Sequence, residues 1–350
     1  MAHRVGIIGA SGFTGAELLR LAATHPELEV VVATGETQAG TRVAELYPSL
    51  AAAYPDLVFA ANEPHLADDL GPDVVFCGLP HGTSQDLVPT LLDGKRLVVD
   101  LAADFRLKDA SLYPRWYHAD HTAPELLADA VYGLPELFRD ELAALDGAGL
   151  IATPGCYVTT ATLALAPLLR AGLVAPTGIV VDAASGVSGA GRPPKPSTTF
   201  TSVDEDFTAY ALLDHRHTPE IEQNLTHAAG DVVQVLFTPH LAPMNRGILA
   251  TCYARPTAAT TTEELREVLA GAYADEPFVV VRDTSPSTKA TLGSNAVHVG
   301  AWADDRTGWV VAIAALDNLT KGASGGAVQA ANVALGLAEG TGLPTVGLFP

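Results

Sequence analysis

"HRVGIIGASGFTGAELLRLAATH" runs from His3 to His25. Its opening "HRVGIIG" is a short continuous apolar run, which predicts a buried strand. "FTGAELLRLAATH", Phe13–His25, repeats its apolar residues at helical spacing. Between them "GASGFTG" sets Gly9, Gly12 and Gly15 in a G-x-x-G-x-x-G turn. Glycines at such a turn allow a tight bend, close backbone approach to a pyrophosphate, and close packing of helix on strand. The helix then aims its first free N–H groups at the phosphates. In a strand–turn–helix–strand context this predicts a dinucleotide site; a glycine turn that serves packing alone is the alternative.

Outward from that unit the alternation continues. "LEVVVAT" (Leu28–Thr34), "DVVFCGL" (Asp73–Leu79) and "RLVVDL" (Arg96–Leu101) read as strands, with helical "SQDLVPTLLDG" (Ser84–Gly94) between the last two. Continuous Val/Ile/Leu strands separated by helices predict a parallel sheet covered on both faces. Near residue 150 the pattern changes. "GIVVDAASG", "DVVQVLFTPHL", "RGILATCYARP", "PFVVVRD", "AVHVGAWADD" and "GWVVAIAALDN" are polar-interrupted strands with long connections, which predict a mixed or mostly antiparallel sheet. "TTEELREVLAGAYA" and "SGGAVQAANVALGLAEG" read as helices. The expected fold class is α/β: a Rossmann-type parallel-sheet domain plus an α+β catalytic domain with a mixed sheet.

The totals restrict function. The chain has 350 residues, 48% of them apolar and 17% charged, long enough for two buried cores. Twenty basic against forty acidic residues give a net charge of −20. That argues against nucleic acid or an anionic membrane as partner, while leaving room for a small anionic ligand. Cys77, Cys156 and Cys252 are odd in number and form no CxxC pair, so a reducing cytoplasm is the expected compartment. The N-terminus lacks the apolar core of a signal peptide. The apolar stretch from Val158 to Val174, broken by Thr159, Thr160, Thr162, Pro167 and Arg170, predicts a buried helix and a loop, not a membrane span.

The residue that selects the cofactor's ribose stays open. Glu36 lies near the offset where an acid holds a 2′-hydroxyl and favours NAD. Arg42, Thr34 and Thr37 are the nearby groups suited to a 2′-phosphate.

"ATPGCYVTTATLAL", Ala152–Leu165, puts Cys156 between a Pro-Gly turn and an apolar helix. A helix N-terminus stabilises a thiolate, and its N–H groups can hold an oxyanion formed when sulfur attacks a carbonyl. The alternative is a small buried hydrophobe, and Cys77 and Cys252 inside apolar strands fit that better. A proton acceptor is sought in "LLDHRHTPEIEQNL" (Leu212–Leu225), where Asp214, His215, Arg216, His217 and Glu220 cluster and Thr218-Pro219 can start a helix. A zinc reading of His215 and His217 finds no further ligand at recognisable spacing, so no metal is expected. His25, His65 and His227 read as surface residues. A nucleotide fold with an activated thiol and a base points to thioester chemistry at an activated acyl group, with hydride from a nicotinamide.

With these residues on the page, the chain resembles the N-acetyl-γ-glutamyl-phosphate reductases, arginine-biosynthesis relatives of the aspartate-semialdehyde dehydrogenases. The resemblance rests on "GASGFTGAEL", "DLAADFRL", "YGLPEL", "PGCY", "SGVSGAGR", "HRHTPEI", "PHLAPMNRGI", "GSNAVHVG" and "DNLTKGASGGAVQAAN", in order along nearly the whole chain. It implies a cytoplasmic oxidoreductase that reduces N-acetyl-γ-glutamyl phosphate to the semialdehyde with NADPH and releases phosphate. Cys156 would be the nucleophile and His217 the acid/base. Gly9, Ser11, Gly12, Phe13, Thr14 and Gly15 would hold the dinucleotide, with Ser185, Gly186, Ser188 and Asn318 near the nicotinamide. Arg106, Arg192 and Arg216 would meet the substrate's anionic groups. Residues 1–153 and 320–350 would form the dinucleotide domain, and 154–319 the catalytic domain. A homo-oligomer, dimer or tetramer, is implied, with no nucleic acid or membrane partner.

Two departures matter. Thr153 stands where the family often has asparagine before the Pro-Gly turn. Gly35-Glu36 stands where many members carry a serine-arginine pair suited to NADP, so NAD(H) remains the alternative cofactor. The rival activities are an aminoadipyl- or aspartyl-phosphate reductase, and a non-catalytic dinucleotide-binding regulator. "SGVSGAGR" has a flexible loop as its bland alternative, and Asp104 with Arg106 an internal pair.

Overall fold

A computed structural model describes residues 2–62 and 71–349; His65 lies outside them. The chain divides into two compact units. The first contains the N-terminal residues to Pro114, Ala119–Pro154 and Ala323–Leu343. The second takes Arg115–His118, Gly155–Gly322 and the residues from Pro344 onward.

In the first unit six strands form one sheet: β1 (His3–Ile8), β2 (Leu28–Ala33), β3 (Val74–Cys77), β4 (Leu97–Asp100), β5 (Val131–Tyr132) and β6 (Gly149–Ala152). Their spatial order is β2-β1-β3-β4-β6-β5 and every pairing is parallel. This is the Rossmann-like architecture predicted above. Because β1 sits between β2 and β3, the strand order reverses beside the end of β1, the position where open α/β sheets bind ligands. All four residues of β3 and of β4 are buried, as expected of strands covered on both faces. Helices α1 (Phe13–Ala22), α2 (Ser84–Leu91) and α3 (Pro135–Ala143) belong to this unit.

The second unit opens with α4 (Cys156–Arg170), in which Tyr157–Leu169 are all buried. A helix apolar on every side belongs in a core. Its sheet comprises β7 (Ile179–Gly186), β8 (Thr208–Ala209), β9 (Val235–Ala242), β10 (Ile248–Ala254), β11 (Val279–Val281), β12 (Val297–Asp304) and β13 (Trp309–Leu316). The order is β11-β12-β13-β10-β7-β9-β8, with β11–β12 and β7–β9 parallel and the other pairs antiparallel. Helix α5 (His217–Ala229) packs on α4 and β9, and α6 (Thr262–Ala272) on α4 and β12. The Thr261 side chain caps α6 by accepting from the Glu264 amide. Helix α7 (Gly325–Ala334) returns the chain to the first unit against α1, α3 and β4.

Two expectations need correcting. Of residues 320–350 only Ala323–Leu343 fall in the first unit, and those from Pro344 onward go with the second: the Asn295 amide donates to the Pro344 carbonyl, and the Leu348 amide to Leu292, each at 2.7 Å. His25 is no surface residue but 5% exposed, and its Nε2 meets Asn332 Oδ1 at 3.1 Å. His227 is exposed as read. Of the two readings of "SGVSGAGR" the loose loop is excluded: the Gly186, Val187 and Ser188 amides donate to Gly247, Met244 and Asn245 carbonyls. Among the described residues no helix is long and apolar enough to cross a membrane.

Candidate functional site

In the first unit each glycine of the turn has its own reason. Gly9 has φ +78°, and a β-carbon there would lie 2.9 Å from the Gly78 carbonyl carbon. Gly15 lies so close to β1's end that a β-carbon would come within 2.6 Å of Ala10 backbone atoms. Gly12, the N-cap of α1, meets nothing nearer than Gly9 O at 3.5 Å. The first two vacancies are filled by the protein; the third opens outward at the helix N-terminus, which fits a pyrophosphate.

The turn is braced from behind. Thr34, buried at the end of β2, accepts from the Gly9 amide at 3.1 Å and bonds Asn62. The Tyr47 hydroxyl donates to Ser11 O at 2.6 Å, and Ser324 Oγ to Thr14 O at 2.8 Å. Phe13 and Thr14 form the first residues of α1. A β-carbon on Gly35 would come 2.8 Å from the Ser11 β-carbon, so Ser11 excludes a side chain at that position. Glu36 and Arg42 are both exposed beyond it. Thr34 therefore serves the turn's backbone.

Arg106 also lies in the first unit, 5% exposed, with Nη2 donating to Leu101 O at 2.8 Å. The Asp104 carboxylate accepts from the Gly82 and Gln85 amides, 2.8 and 3.2 Å, and so has a structural task at the start of α2. Nearby Asp100 is wholly buried; burial pushes its carboxyl up to about 7, against the bond from Ser84 Oγ at 2.7 Å.

In the second unit Cys156 is the first residue of α4, with Gly155 as N-cap, and is half-buried. Cys77 and Cys252 are fully buried. Burial pushes the Cys77 thiol well up and the Cys252 thiol up to about 12, so both are inert. A β-carbon on Gly155 would lie 2.7 Å from Cδ2 and Cε1 of His217, and closer still to Nε2. The imidazole thus occupies the space that Gly155's missing side chain leaves, immediately before the thiol. Helix α5 begins at His217, so its first residue is brought onto the N-terminus of α4. The turn is held by Glu220, 0% exposed, whose Oε1 accepts from the Gly155 amide at 2.9 Å. Thr153 is braced through its backbone, its amide donating to Asp100 O at 2.8 Å. Opposite, a β-carbon on Gly322 would lie 2.8 Å from the Cys156 β-carbon.

His215 is a neighbour of different character. It accepts the His217 amide on Nδ1 at 3.1 Å and packs edge-on against Tyr157, Tyr210, Phe237 and His217. Burial, then Arg216, lowers its pKa to about 4, so it is neutral near pH 7. Burial likewise raises the Tyr157 phenol far above its usual range; its hydroxyl donates to His240 O at 2.9 Å. The exposed Arg216 guanidinium stands over the Tyr117 ring at 5.8 Å. Arg192 follows Gly191 as a half-buried side chain.

Ser185 is buried at the end of β7, its hydroxyl bonding Gly186 O at 3.1 Å. A β-carbon on Gly186 would strike Asn245 O and Arg246 N at 2.7 Å. Asn318 Nδ2 donates to Ser188 Oγ at 3.0 Å, while its Oδ1 accepts from the Gly247 amide at 2.7 Å. The structure therefore gathers Ser185, Gly186, Ser188 and Asn318, and separately Cys156 and His217. The sequence reading named Glu220 only as one of a cluster, without its task at Gly155, and missed Gly322, Arg246 and Asp317. The available signal was a charge breaking an apolar pattern: Asp317 directly follows the apolar strand "WVVAIAAL", and Glu220 sits in a helix's first turn.

Residues 4–145 match the NAD binding domain of semialdehyde dehydrogenases, and residues 156–318 their dimerisation domain. Solved structures share the fold. Aspartate semialdehyde dehydrogenase II of Vibrio cholerae, complexed with ASA, superposes with TM-score 0.72 at 17% identity, covering 95% of this chain and 98% of its own. The Candida albicans aspartate semialdehyde dehydrogenase with NADP gives 0.69 at 16%, over the same shares. The class is therefore a semialdehyde-dehydrogenase-type oxidoreductase with a nicotinamide dinucleotide domain.

Among curated proteins, the N-acetyl-gamma-glutamyl-phosphate reductase of Acidothermus cellulolyticus is 51% identical over 355 residues, the full length of both chains. Those of Symbiobacterium thermophilum and Magnetococcus marinus are 50% and 47% identical over 99% of each chain. The chain belongs to the N-acetyl-gamma-glutamyl-phosphate reductase family.

Proposed function

We propose that the chain reduces N-acetyl-γ-glutamyl phosphate to N-acetylglutamate 5-semialdehyde, releasing phosphate, as a step of arginine biosynthesis in the cytoplasm. The carrying observation is the Gly155 vacancy filled by the His217 imidazole, beside a half-buried thiol at the start of a buried helix. The relatives' names supply the substrate and favour it over aminoadipyl and aspartyl phosphates.

In this reading His217 takes the proton from Cys156 Sγ. The sulfur attacks the γ-carbonyl carbon, the first-turn N–H groups of α4 face the developing oxyanion, and the C–O bond to phosphate breaks. A thioester on Cys156 results. When bound, the reduced nicotinamide supplies hydride to that carbon. As the aldehyde leaves, His217 returns the proton to the departing sulfur. Glu220 keeps the turn rigid during both proton transfers.

Gly9, Ser11, Gly12, Phe13, Thr14 and Gly15 are assigned to the cofactor's pyrophosphate, and Ser185, Gly186, Ser188 and Asn318 to shaping the nicotinamide's place. Arg106, Arg192 and Arg216 are assigned to the substrate's carboxylate and phosphate. The pyrophosphate residues thus belong to the first unit, the thiol, its base and subunit assembly to the second. The match of residues 156–318 to a dimerisation domain supports a homo-oligomer, dimer or tetramer. NADP(H) is proposed over NAD(H) on family resemblance, although exposed Glu36 is no phosphate ligand.

The test is cofactor reduction by N-acetylglutamate semialdehyde plus phosphate, with NADP and NAD compared. Mass spectrometry of acid-quenched enzyme should find an acyl adduct on the Cys156 peptide. Turnover without that adduct would overturn the covalent step.

A further inference from the structure

We propose that Arg246 and Asp317 are positioning residues for the reaction: their ion pair fixes the backbone that supports Cys156 and the loop that carries Ser188. The proposal rests on Cys156 being the nucleophile.

Asp317 directly follows β13 and is 0% exposed. A carboxylate so buried must collect donors. Arg246 provides Nε at 2.9 Å from Oδ2 and Nη2 at 2.9 Å from Oδ1, a two-point fork. The Gly293 amide donates to Oδ2 at 2.7 Å, and the Leu319 and Thr320 amides to Oδ1 at 2.9 and 3.1 Å. Arg246 Nη2 also reaches Thr320 Oγ1 at 2.9 Å.

Two limbs leave this hub. On one, the chain after Asp317 enters a π-helical turn, Thr320–Ser324, and the Gly322 amide donates to Asp317 O at 3.0 Å. Gly322 is the residue whose missing side chain accommodates the Cys156 β-carbon. The π-turn widens the helical ring, an arrangement common at functional sites. On the other limb Asn318 grips the Gly247 amide and Ser188 Oγ, while Arg246's own amide borders Gly186. One ion pair therefore sets the wall behind the sulfur and the position of the 185–188 loop. Arg246 is 23% exposed and spends its guanidinium on Asp317 and Thr320, so it acts on the thiol through the backbone those residues hold.

The test compares wild type with Arg246→Gln, Arg246→Lys and Cys156→Ser. Each is assayed for kcat, for KM of semialdehyde, phosphate and dinucleotide, and for the rate of iodoacetamide labelling at Cys156 against pH. For Arg246→Gln the expectation is a kcat lower by about 100-fold with KM values changed less than about threefold. Its thiol labelling profile should shift in pH while near-UV circular dichroism stays native. Arg246→Lys, a point charge that cannot form the fork, should recover only part of kcat. If Arg246→Gln does not fold, Arg246→Lys is judged by the same kcat and labelling criteria. A kcat within twofold of wild type, or a kcat loss with unaltered labelling, overturns the proposal. Cys156→Ser separates the two readings: if it retains turnover, the nucleophile assignment has failed whatever Arg246 does.

Discussion

Two turns lead into the helices that matter most, and the space left by their glycines is used in opposite ways. At the Gly9–Gly15 turn the N-cap glycine, Gly12, leaves room beside its α-carbon: chain neighbours aside, a β-carbon there would meet only Gly9 O, at 3.5 Å, among the described residues. At the Pro154–Cys156 turn the N-cap glycine, Gly155, is covered by the His217 ring and its amide is taken by Glu220. An open glycine offers backbone N–H groups to a visiting anion. A closed one puts a protein base next to a protein thiol. The same helix-terminus physics thus serves binding in one unit and bond-making in the other.

The contrast can be broken by removing the sulfur. Cys156→Ser should lower phosphate-dependent turnover by about 10⁴-fold or more, measured as dinucleotide reduction. Near-normal turnover would leave the closed turn without its purpose. Next comes the glycine beneath the imidazole. Gly155→Ala should cost about 100-fold in kcat, because a methyl must displace His217. Dinucleotide binding by fluorescence titration should be unaltered.

Gly12→Ala sharpens the comparison from the other side. Its methyl finds ordinary contact at 3.5 Å, so the protein should melt near the wild-type temperature. It stands, however, where a pyrophosphate would press, and KM for the dinucleotide should rise about tenfold with kcat little changed. A kcat collapse with unchanged KM would show that the open turn does more than bind.

The smallest effect concerns a second imidazole laid on a glycine. A β-carbon on Gly342 would lie 2.6 Å from His25 Cγ, much as His217 covers Gly155. His25 accepts the Glu27 amide on Nδ1, so its proton sits on Nε2 facing Asn332. Burial lowers its pKa below 6.5 in the folded chain, so the unfolded chain takes up that proton more readily. The stability it contributes is present above pH 6.5 and declines as pH falls through the folded value. His25→Gln should flatten the slope of denaturation midpoint against pH in that window; an unchanged slope would leave His25 without this role.

Legibility in the sequence followed how locally each feature is determined. β1 to β4 were readable because continuous Val/Ile/Leu runs need no partner to betray burial. β5, two residues, is too short for any pattern, and β6 carries only two large apolar residues, Leu150 and Ile151, between a glycine and an alanine. The Cys156 turn was readable because proline, glycine and an apolar helix are adjacent in the chain. Its partners were not: Glu220 and Gly322 reach it over 64 and 166 residues, counted as 220 − 156 and 322 − 156. His25 looked like a surface residue because "THPE" is polar around it, whereas its partner Asn332 lies 307 residues away and Gly342 further still. A flexible 185–188 loop stayed open as an alternative in the sequence because its anchors lie in residues 244–247 and 318.

The distribution of sulfur has a practical consequence. Of three free cysteines, two are sealed in strands of separate units and one is half-buried at a helix start. A mild thiol reagent should therefore count a single equivalent per native chain and three after denaturation. The molecule carries its own gauge of integrity, readable in a crude preparation without substrate, cofactor or tag.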